Sequence, residues 1–191
     1  MGARKEVDAA IALAEGLAGW ADKHAVMLGS RNPVAGPYYC FTTPEPLGVV
    51  VVAAPQRAAL LELVTLSTAI LSAGNTMVVL AEGGRALPAI VYAACCVAAG
   101  MPGGVVNVLS GERAALLEAI VARGGVDGIA AVAPGAEEEA ALRRAAVMTG
   151  TPVALLPEDE TDGWAEAGGS GLLELIDAFV KTKTVWHPSA L

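Results

Sequence analysis

The chain has 191 residues, of which 54% are apolar and 17% are charged. This composition supports one globular domain with a buried core and excludes a disordered chain. Acidic residues outnumber basic residues by 20 to 12, which gives a net charge of −8. That sign disfavours nucleic acid as a partner, because affinity for a phosphate backbone comes from cationic side chains that release counterions. The cysteines, Cys40, Cys95 and Cys96, match no disulfide or zinc spacing, and this favours a reducing cytoplasm.

Residues 86–111 carry no charge, and this stretch is the one candidate for a membrane span. Proline and glycine interrupt it, so the longest uninterrupted helical piece runs from Ala89 to Ala99. Such a piece, at about 1.5 Å per residue, reaches roughly half of the ~30 Å hydrocarbon core of a bilayer. The first residues, Met1 to Asp8, turn acidic before any apolar run, which does not fit a signal peptide. We therefore expect no membrane association.

The N-terminal part predicts a helix followed by an extended arm. From Val7 to about Lys23, apolar residues recur with the helical period, so residues 1–28 are predicted to form an N-terminal helix. Residues 29–46 are rich in proline and glycine and contain the aromatic and β-branched run from Tyr38 to Thr43. This segment is predicted to be an extended arm and not a core element.

Residues 47–157 alternate short β-branched runs with longer runs rich in alanine and leucine. Five strands are predicted, at Leu47–Ala54, Thr76–Leu80, Val105–Leu109, Gly128–Ala133 and Pro152–Leu156. Four helices are predicted between them, at Ala58–Ser72, Leu87–Ala99, Glu112–Ala122 and Ala136–Met148. Continuously apolar strands that alternate with helices are typical of a parallel sheet covered on both faces. We therefore expect an α/β fold with a Rossmann-like parallel sheet and right-handed crossovers.

The C-terminal part predicts a linker, a short helix and a strand. Residues 158–171 are acidic and then glycine-rich, which is typical of a linker. Within residues 172–191, a helix is predicted at Leu172–Val180, and the threonine, valine and tryptophan content of Lys181–His187 predicts a strand. This strand has no obvious partner in the core sheet, so we expect it to pair with another chain.

The sequence lacks the usual dinucleotide-binding turn. A Rossmann fold normally has a G-x-G-x-x-G turn after its first strand, so that backbone N–H groups meet the pyrophosphate. Here that turn reads Ala54-Pro55-Gln56-Arg57-Ala58 and contains no glycine. A second candidate anion site is the helix start at Gly135, but Glu137, Glu138 and Glu139 follow it and would repel a phosphate.

No catalytic or metal-binding group of residues is predicted. Cys95 and Cys96 lie in mid-helix with no cation or histidine nearby in sequence, so we interpret both as buried small hydrophobic residues. Cys40 lies in the aromatic arm and is expected to be exposed. His24 and His187 match no recognised metal-ligand spacing. No Ser/His/Asp arrangement, P-loop or paired-carboxylate motif is found.

Five motifs of this sequence resemble, in order and spacing, the coenzyme domain of aldehyde dehydrogenases. They are Glu45–Val50, Ala54-Pro55, Ala73–Val79, Gly100–Gly111 and Val126–Ala130. The run Val180–Trp186 is similar to the strand that closes aldehyde dehydrogenase chains. In that family this strand and the segment matching Tyr38–Thr43 form an oligomerisation arm that completes the sheet of a neighbouring subunit. The interface residues that the resemblance implies, with the aromatic ones as an outward stripe, are Tyr38, Tyr39, Phe41, Thr184, Val185 and Trp186.

Other features depart from the family pattern. The family inserts its whole catalytic domain, with a cysteine nucleophile and a glutamate base, between the positions of Leu156 and Leu172, where this chain has about fifteen residues. Aldehyde oxidation by this chain alone is therefore not expected.

The coenzyme contacts of the family are also replaced. Gln56-Arg57 stands where the family has Trp-Asn, Leu80 and Gly83 where it has the lysine and glutamate for the adenosine ribose, and Ala131–Pro134 where it has a Phe-Thr-Gly-Ser turn. These changes remove an oxyanion amide, the ribose hydrogen bonds and a close approach to pyrophosphate. No cofactor is expected, with weak NAD(P) binding at most. The degenerate cofactor-binding candidates are Ala54, Pro55, Gln56, Arg57, Leu80, Pro134 and Gly135.

One branch, the sixteenth-family aldehyde dehydrogenases, is more closely similar. Its second half joins a coenzyme-type domain almost directly to the terminal strand. The residues that carry this resemblance are Trp20–Lys23, Glu45–Val49, Gly74–Thr76 with no lysine after it, and Lys183–Pro188. The resemblance implies a non-catalytic subunit that assembles by strand addition with a catalytic NAD(P)-dependent aldehyde dehydrogenase, with itself, or with both.

Three alternatives stay open. The first is a small nucleotide- or dinucleotide-binding regulatory module, with its pocket at the carboxyl ends of the strands. The second is a self-assembling structural protein, which would use the same edge strands. The third is an independent enzyme of another class that uses Arg57 and a cysteine, and no arrangement of residues in the sequence supports it.

Overall fold

The structure, a computed structural model, describes residues 2–55, 59–156 and 169–189. Its helices are α1 (Ala3–Ala18), α2 (His24–Leu28), α3 (Ala59–Ser72), α4 (Ala86–Ala98), α5 (Arg113–Arg123), α6 (Ala136–Thr149) and α7 (Gly169–Asp177). Its strands are β1 (Ser30–Asn32), β2 (Tyr38–Pro46), β3 (Val49–Ala53), β4 (Thr76–Ala81), β5 (Val106–Ser110), β6 (Gly128–Val132), β7 (Val153–Leu156) and β8 (Val180–Pro188). A short 3-10 turn, Gly83–Arg85, precedes α4.

The predicted α/β architecture is confirmed. Five parallel strands lie in the order β5-β4-β3-β6-β7, and Val50 of the central strand β3 is in register with Met77 of β4 and Gly128 of β6. One face of the sheet packs against α1, α3, α4 and α7, and the other packs against α5 and α6. The central strands are buried on both sides, which is why their sequences are apolar throughout.

The N-terminal helix is shorter than predicted. We expected one helix to about Lys23, but α1 ends at Ala18, and Gly19 is its C-terminal cap. Tight turns follow, in which the N–H of Trp20 donates to the carbonyl of Leu17 at 2.9 Å, and α2 then begins at His24. Glycine has a low helix propensity, which explains why the helix breaks at Gly19 although the spacing of apolar residues continues.

The extended arm forms a sheet with the C-terminal strand. Strand β2 lies between β1 and β8 in a three-stranded antiparallel sheet. Along the β2–β8 ladder, Tyr38 is opposite Pro188 and Pro46 is opposite Val180, so the two strands pair over their full length. The terminal strand therefore has no partner in the core sheet, as expected, but it does pair within its own chain, with β2. The reason is that α7 and Phe179 anchor the chain on the core just before β8 begins.

The anchor of the C-terminal segment is apolar packing and one buried amide. Leu172, Leu175, Ile176 and Phe179 are buried in the same core as α1 and α3. The Nδ2 of Asn75 donates to the carbonyl of Phe179 at 2.8 Å, deep in this core. The helix predicted at Leu172–Val180 is α7, which begins at Gly169. Most of the predicted linker lies outside the described residues.

Among the described residues, the helices are too short or too polar to cross a membrane.

Candidate functional site

A crevice of about 510 Å³ opens at the carboxyl ends of the parallel strands. This is where ligands bind in open α/β sheets. Its apolar walls are formed mainly by Ala53, Leu80, Leu117 and Leu142. Its charged residues are Glu82, Arg113, Glu137, Glu138 and Arg144.

Arg113 is the central cation of this crevice. It begins α5, and its side chain is only 16% exposed. Its Nη1 donates to the carbonyl of Ala54 at 2.9 Å, and its Nη2 lies 2.9 Å from the Oε1 of Glu138. Its Nε lies 3.6 Å from the Oε2 of Glu82, which is too far for a hydrogen bond, and this buried nitrogen has no hydrogen-bond partner. Arg113 thus connects the loops after β3 and β4 with the first turn of α6.

The charge of Arg113 is already matched by carboxylates of its own chain. Glu138 pairs with it closely, and Glu82 adds a second negative charge beside the same guanidinium. Glu137, Glu138 and Glu139 occupy the first turn of α6, where negative charges interact favourably with the helix dipole. Glu139 points elsewhere and pairs with Arg143 at 2.8 Å. A phosphate that enters this crevice therefore meets carboxylates around the cation it would need.

The loop from β6 to α6 contains a strained residue. Ala133 has a φ of 41° and is the non-glycine residue with positive φ in the described part of the chain. This region of backbone space costs a residue with a Cβ about 1–2 kcal/mol. In the resemblance described above, Ala133 stands where the Phe-Thr-Gly-Ser turn has its glycine. A glycine adopts a positive φ without this cost, whereas the alanine of this chain does not.

Three of the predicted cofactor-binding residues contribute to this crevice. Leu80 is 1% exposed and forms part of its wall, and Gly135 caps α6 at its edge. Ala54 is buried, and its carbonyl accepts the hydrogen bond from Arg113.

The remaining predicted cofactor-binding residues contribute less. Pro55 is buried and Pro134 is half-buried, and neither lines the crevice. Gln56 and Arg57 lie outside the described residues, so the structure says nothing of their positions.

Sequence reasoning missed Arg113, which is the residue that organises the crevice. One signal was present: Arg113 is the sole lysine or arginine between Arg85 and Arg123. A lone cation shortly after an apolar strand, in a stretch with no other basic residue, is a candidate for a specific anionic partner, because a buried charge must be paired. The partners, Glu82 and Glu138, come from different parts of the sequence and could not be identified from it.

NAD(P) is the cofactor that the resemblance implies, and the crevice does not fit its pyrophosphate. Arg113 is held by Ala54 and Glu138, and no glycine turn brings backbone N–H groups to the edge of β3 in the sequence. The position of Leu80 offers an apolar side chain where a ribose needs a hydrogen bond. The apolar walls are the part of the crevice that suits a ligand, and they would accept a flat ring.

The cysteines differ from two expectations. Cys40 was expected to be exposed but is 2% exposed, with the Nδ2 of Asn32 3.6 Å from its Sγ. Cys95 was expected to be buried but is exposed, because it lies on the outer side of α4, and only Cys96 is buried as predicted. Burial raises the pKa of the Cys96 thiol, which keeps this thiol protonated. In the part of the chain that the structure describes, His, Cys, Asp and Glu form no cluster that could hold a metal ion.

The arm sheet of β1, β2 and β8 presents aromatic residues on both faces. The rings of Tyr38 and Trp186 meet edge to face with centroids 5.9 Å apart, and those of Tyr39 and Phe41 are 5.5 Å apart. Successive residues of a strand point to opposite faces. The expected outward stripe of these four residues is therefore divided between the two faces, with the guanidinium of Arg31 5.3 Å from the ring of Tyr39.

Strand β8 is the outer strand of this sheet. In the described part of the chain, one of its edges pairs with β2 and no strand pairs with the other. Trp186 is 59% exposed and Thr184 is exposed, whereas Val185 is half-buried opposite Phe41. Lys183 binds Glu45 of β2 at 2.7 Å.

Comparisons with known proteins agree with this architecture. Residues 2–155 match the sequence profile described as the aldehyde dehydrogenase family. Retinal dehydrogenase 2 of Gallus gallus is 38% identical over 113 residues, which cover 59% of this chain and 21% of that protein. Omega-crystallin of Nototodarus sloanii is 37% identical over 94 residues, which cover 49% of this chain and 18% of that protein.

Solved structures give the same result. The NAD+ complex of aldehyde dehydrogenase from Bacillus cereus has a TM-score of 0.72 at 26% identity and matches 80% of this chain and 30% of that one. The chain spans about a fifth of the length of the curated relatives it matches.

Proposed function

The chain belongs to the aldehyde dehydrogenase family, and from that premise we propose that it is a non-catalytic subunit that assembles through its arm sheet. The preferred partner is a catalytic NAD(P)-dependent aldehyde dehydrogenase, and a second copy of this chain is the other. The observation that carries this proposal is that one edge of β8 pairs with no strand among the described residues and lies beside exposed aromatic residues. An unpaired edge strand is a template for pairing with another chain.

The chemistry of β8 suggests which half of the strand makes the contact. Lys181 and Lys183 lie in its first half, and charged residues of this kind discourage edge-to-edge pairing. The second half carries Val185 and Trp186 and has no acidic residue. Tryptophan and tyrosine are enriched in protein interfaces, because they bury much apolar area with few rotatable bonds. Trp186, supported by Tyr38, is therefore the proposed centre of the contact.

Two further features support a non-catalytic role. Only residues 157–168 separate β7 from α7 in the sequence, which is far too short for a catalytic domain at this point. The crevice at the strand ends has its central cation paired with carboxylates. The three cysteines are free thiols, and on this basis we also propose a cytoplasmic location.

Native mass spectrometry of the purified chain, alone and mixed with a catalytic aldehyde dehydrogenase, tests this proposal. We expect a species heavier than the 19.2 kDa chain. The variant Trp186→Asp should weaken its assembly by about tenfold or more, because a charge then lies at the centre of an apolar contact.

Val147→Asp is the matched control, since Val147 is 83% exposed on α6, far from the arm sheet in the fold. This variant should assemble like the unmodified chain. Both variants are first checked for unchanged thermal unfolding. A lone 19.2 kDa species under both conditions, or full assembly of Trp186→Asp, would contradict the proposal.

A dinucleotide-binding regulatory module is the second candidate function. The volume of the crevice and its apolar walls favour it, since pockets of about 300–1,000 Å³ hold small ligands. The ion pair between Arg113 and Glu138 argues against this second function, because the cation is already matched, and it suggests that any NAD(P) binding is weak. Saturable heat on titrating NAD+ into the unmodified chain would favour this function over the first.

A further inference from the structure

Helix α4 and strand β5 form one uncharged side of the core, called here the α4–β5 flank. Residues 86–111, which include both elements, carry no charged side chain, although the net charge of the chain is −8. Strand β5 ends the five-stranded sheet, and in the ranges that the structure describes only one of its edges is paired, with β4. Natural edge strands commonly carry charged residues or proline that discourage pairing, and β5 has neither. Its outer edge can therefore accept another strand.

The hydrogen bonds of β5 show which backbone groups point to this outer edge. The carbonyl of Val105 accepts a bond from the N–H of Met77 at 2.9 Å, and the N–H of Gly111 donates to the carbonyl of Ala81 at 3.1 Å. Both bonds go to β4. Backbone groups of successive residues in a strand point alternately to its two sides. The residues whose N–H and carbonyl groups point to the outer edge are therefore Val106, Val108 and Ser110.

Helix α4 exposes an apolar stripe on the side away from α3. Tyr92 is hydrogen-bonded to Ser67 of α3, so this side of α4 faces α3. At 3.6 residues per turn, Ile90, Ala94 and Val97 lie on the opposite side of the helix. Ile90 is 48% exposed, Val97 is 73% exposed, and Ala94 between them is exposed too. The spacing of four and three residues is the one with which helices pack along each other.

The positions of α4 and β5 fit a symmetric pair of chains. Helix α4 connects β4 to β5 and packs against both strands. If β5 pairs antiparallel with β5 of a second copy, the twofold axis is perpendicular to the sheet, and both α4 helices lie on the same face. With strands about 4.8 Å apart and each helix centred over its own two strands, the two helices are about 10 Å apart. Packed helices are separated by about 8–10 Å, so one arrangement satisfies both contacts.

Charge favours a second copy as the occupant of this flank. Two copies of an acidic chain repel each other wherever their carboxylates meet. Helices α1, α5 and α6 each expose a glutamate, at Glu15, Glu118 and Glu137 respectively. The α4–β5 flank brings no carboxylate to the contact, and an antiparallel strand pair has the same twofold symmetry as a homodimer.

We propose that the chain forms a symmetric dimer through the α4–β5 flank, with β5 extending the sheet into that of a second copy. Centring the pair on Val108 brings Val106 of each copy opposite Ser110 of the other, and each such pair exchanges two hydrogen bonds. Ile90 of each copy then lies beside Val97 of the other, with the small side chain of Ala94 between them. The inference goes beyond the proposed function, because it concerns the core sheet and not the arm sheet.

The size of the flank sets the affinity that we expect. Helix α4 has 13 residues, which corresponds to a length of about 20 Å. A helix about 10 Å across, together with the strand edge, gives a width of about 15 Å. Such a contact is at the small end of specific interfaces, so the dimer should form in the micromolar range.

Analytical ultracentrifugation of the Trp186→Asp chain between about 1 and 200 µM tests the proposal, because this variant weakens assembly through β8. We expect a dimer of two 19.2 kDa chains at the upper concentrations. Adding Ala94→Glu should weaken the dimer by about tenfold or more, since a carboxylate of each copy then lies near the twofold axis. Cys95→Glu is the matched control: it makes the same charge on the neighbouring residue, which is exposed on the Tyr92 side of α4. It should dimerise like its parent.

A second pair of variants tests the strand. Ser110→Pro removes an N–H from the outer edge of β5 without removing a bond to β4, and proline is tolerated on edge strands. It should weaken the dimer several-fold. Ser110→Ala keeps this N–H and should not. Thermal unfolding of each variant is compared with that of its parent.

Hydrogen exchange provides a readout that needs no change in β5. The amides of Val106, Val108 and Ser110 should exchange several-fold more slowly in the concentrated Trp186→Asp chain than in the dilute one. With Ala94→Glu added, this dependence on concentration should disappear.

A Trp186→Asp chain that stays monomeric at the highest concentration would overturn the proposal. Full dimerisation of the folded Ala94→Glu variant would overturn it too, and so would a dimer in which these three amides gain no protection. None of these results bears on assembly through β8, which is measured by comparing Trp186→Asp with the unmodified chain.

Discussion

Replacing Asn75 tests how the C-terminal segment is held on the core. Its side chain is 3% exposed and makes contacts with three parts of the chain. The N–H of Gly48, just before β3, donates to its Oδ1 at 2.9 Å. Its Nδ2 donates to the carbonyl of Ile70 at the end of α3, at 3.1 Å, and to that of Phe179 at 2.8 Å. One amide thus joins the first core strand, a core helix and the start of β8.

Asn75→Ala leaves two of these three partners without a hydrogen bond from the part of the chain that the structure describes. The carbonyl of Ile70 keeps the bond from the backbone N–H of Asn75. The N–H of Gly48 and the carbonyl of Phe179 lose their hydrogen bonds to the Asn75 side chain. An unsatisfied buried group costs about 1–3 kcal/mol, and Gly48 lies nearer the solvent than Phe179. We therefore expect Asn75→Ala to lower the free energy of unfolding by about 2–3 kcal/mol.

Urea unfolding followed by circular dichroism measures this change, with Asn107→Ala as the matched control. The Nδ2 of Asn107 donates to two carbonyls, of Met77 and Gly104, but the residue is only half-buried, so we expect a loss below about 1 kcal/mol. Asn75→Asp refines the test, because it keeps the acceptor for Gly48 and loses both donated bonds. Its loss should equal or exceed that of Asn75→Ala, because a carboxylate then faces a carbonyl. Equal losses for Asn75→Ala and Asn107→Ala would refute the reasoning.

Two further predictions concern strain and thiol reactivity. Ala133→Gly should stabilise the fold by about 0.5–1 kcal/mol in urea unfolding, because it relieves a positive φ. The control Ala131→Gly, in buried β6, should destabilise the fold by a similar amount. A loss of stability in Ala133→Gly would contradict this prediction. Iodoacetamide at neutral pH should modify Cys95 and spare Cys40 and Cys96, as measured by mass spectrometry. Cys40 and Cys96 are buried, and the raised pKa of Cys96 also keeps its thiol protonated at neutral pH. Alkylation of the three thiols at similar rates would contradict this prediction and show that the arm and α4 open readily.

Sequence patterns predicted the core of this fold well, for a physical reason. Strands β3 and β6 are covered on both faces, so their sequences are continuous apolar runs that are easily recognised. The break between α1 and α2 was not predicted. The spacing of apolar residues continues past Gly19 to Trp20, although the helix ends at Ala18. Hydrophobic periodicity reports which face is buried and does not report whether the backbone bonds continue.

The arm sheet shows why pairing is harder to predict than strand formation. The sequence of Lys181–His187 predicted a strand correctly and indicated that this strand has no partner in the core sheet, but it did not identify the strand that it pairs with in its own chain. The partner is β2, about 140 residues earlier in the sequence, and what brings it close is the packing of Phe179 and the hydrogen bond from Asn75. Pairing with β2 uses one edge of β8, and no strand in the described ranges pairs with the other edge, so the intrachain ladder and the proposed assembly are compatible. The ladder gives β8 the rigidity that an interface needs, since a strand already paired loses less entropy on binding.

The crevice could be placed from the sequence but its chemistry could not. The carboxyl ends of parallel strands meet at one edge, so the rule for α/β folds located it without any knowledge of side chains. Arg113, Glu82 and Glu138 are 31 and 25 residues apart in sequence and converge only because β4, α5 and α6 end or begin at that edge. The sequence suggested that three glutamates would repel a phosphate. The structure adds that one of them neutralises a buried arginine, so the same carboxylate both repels an anion and occupies the group that would bind it.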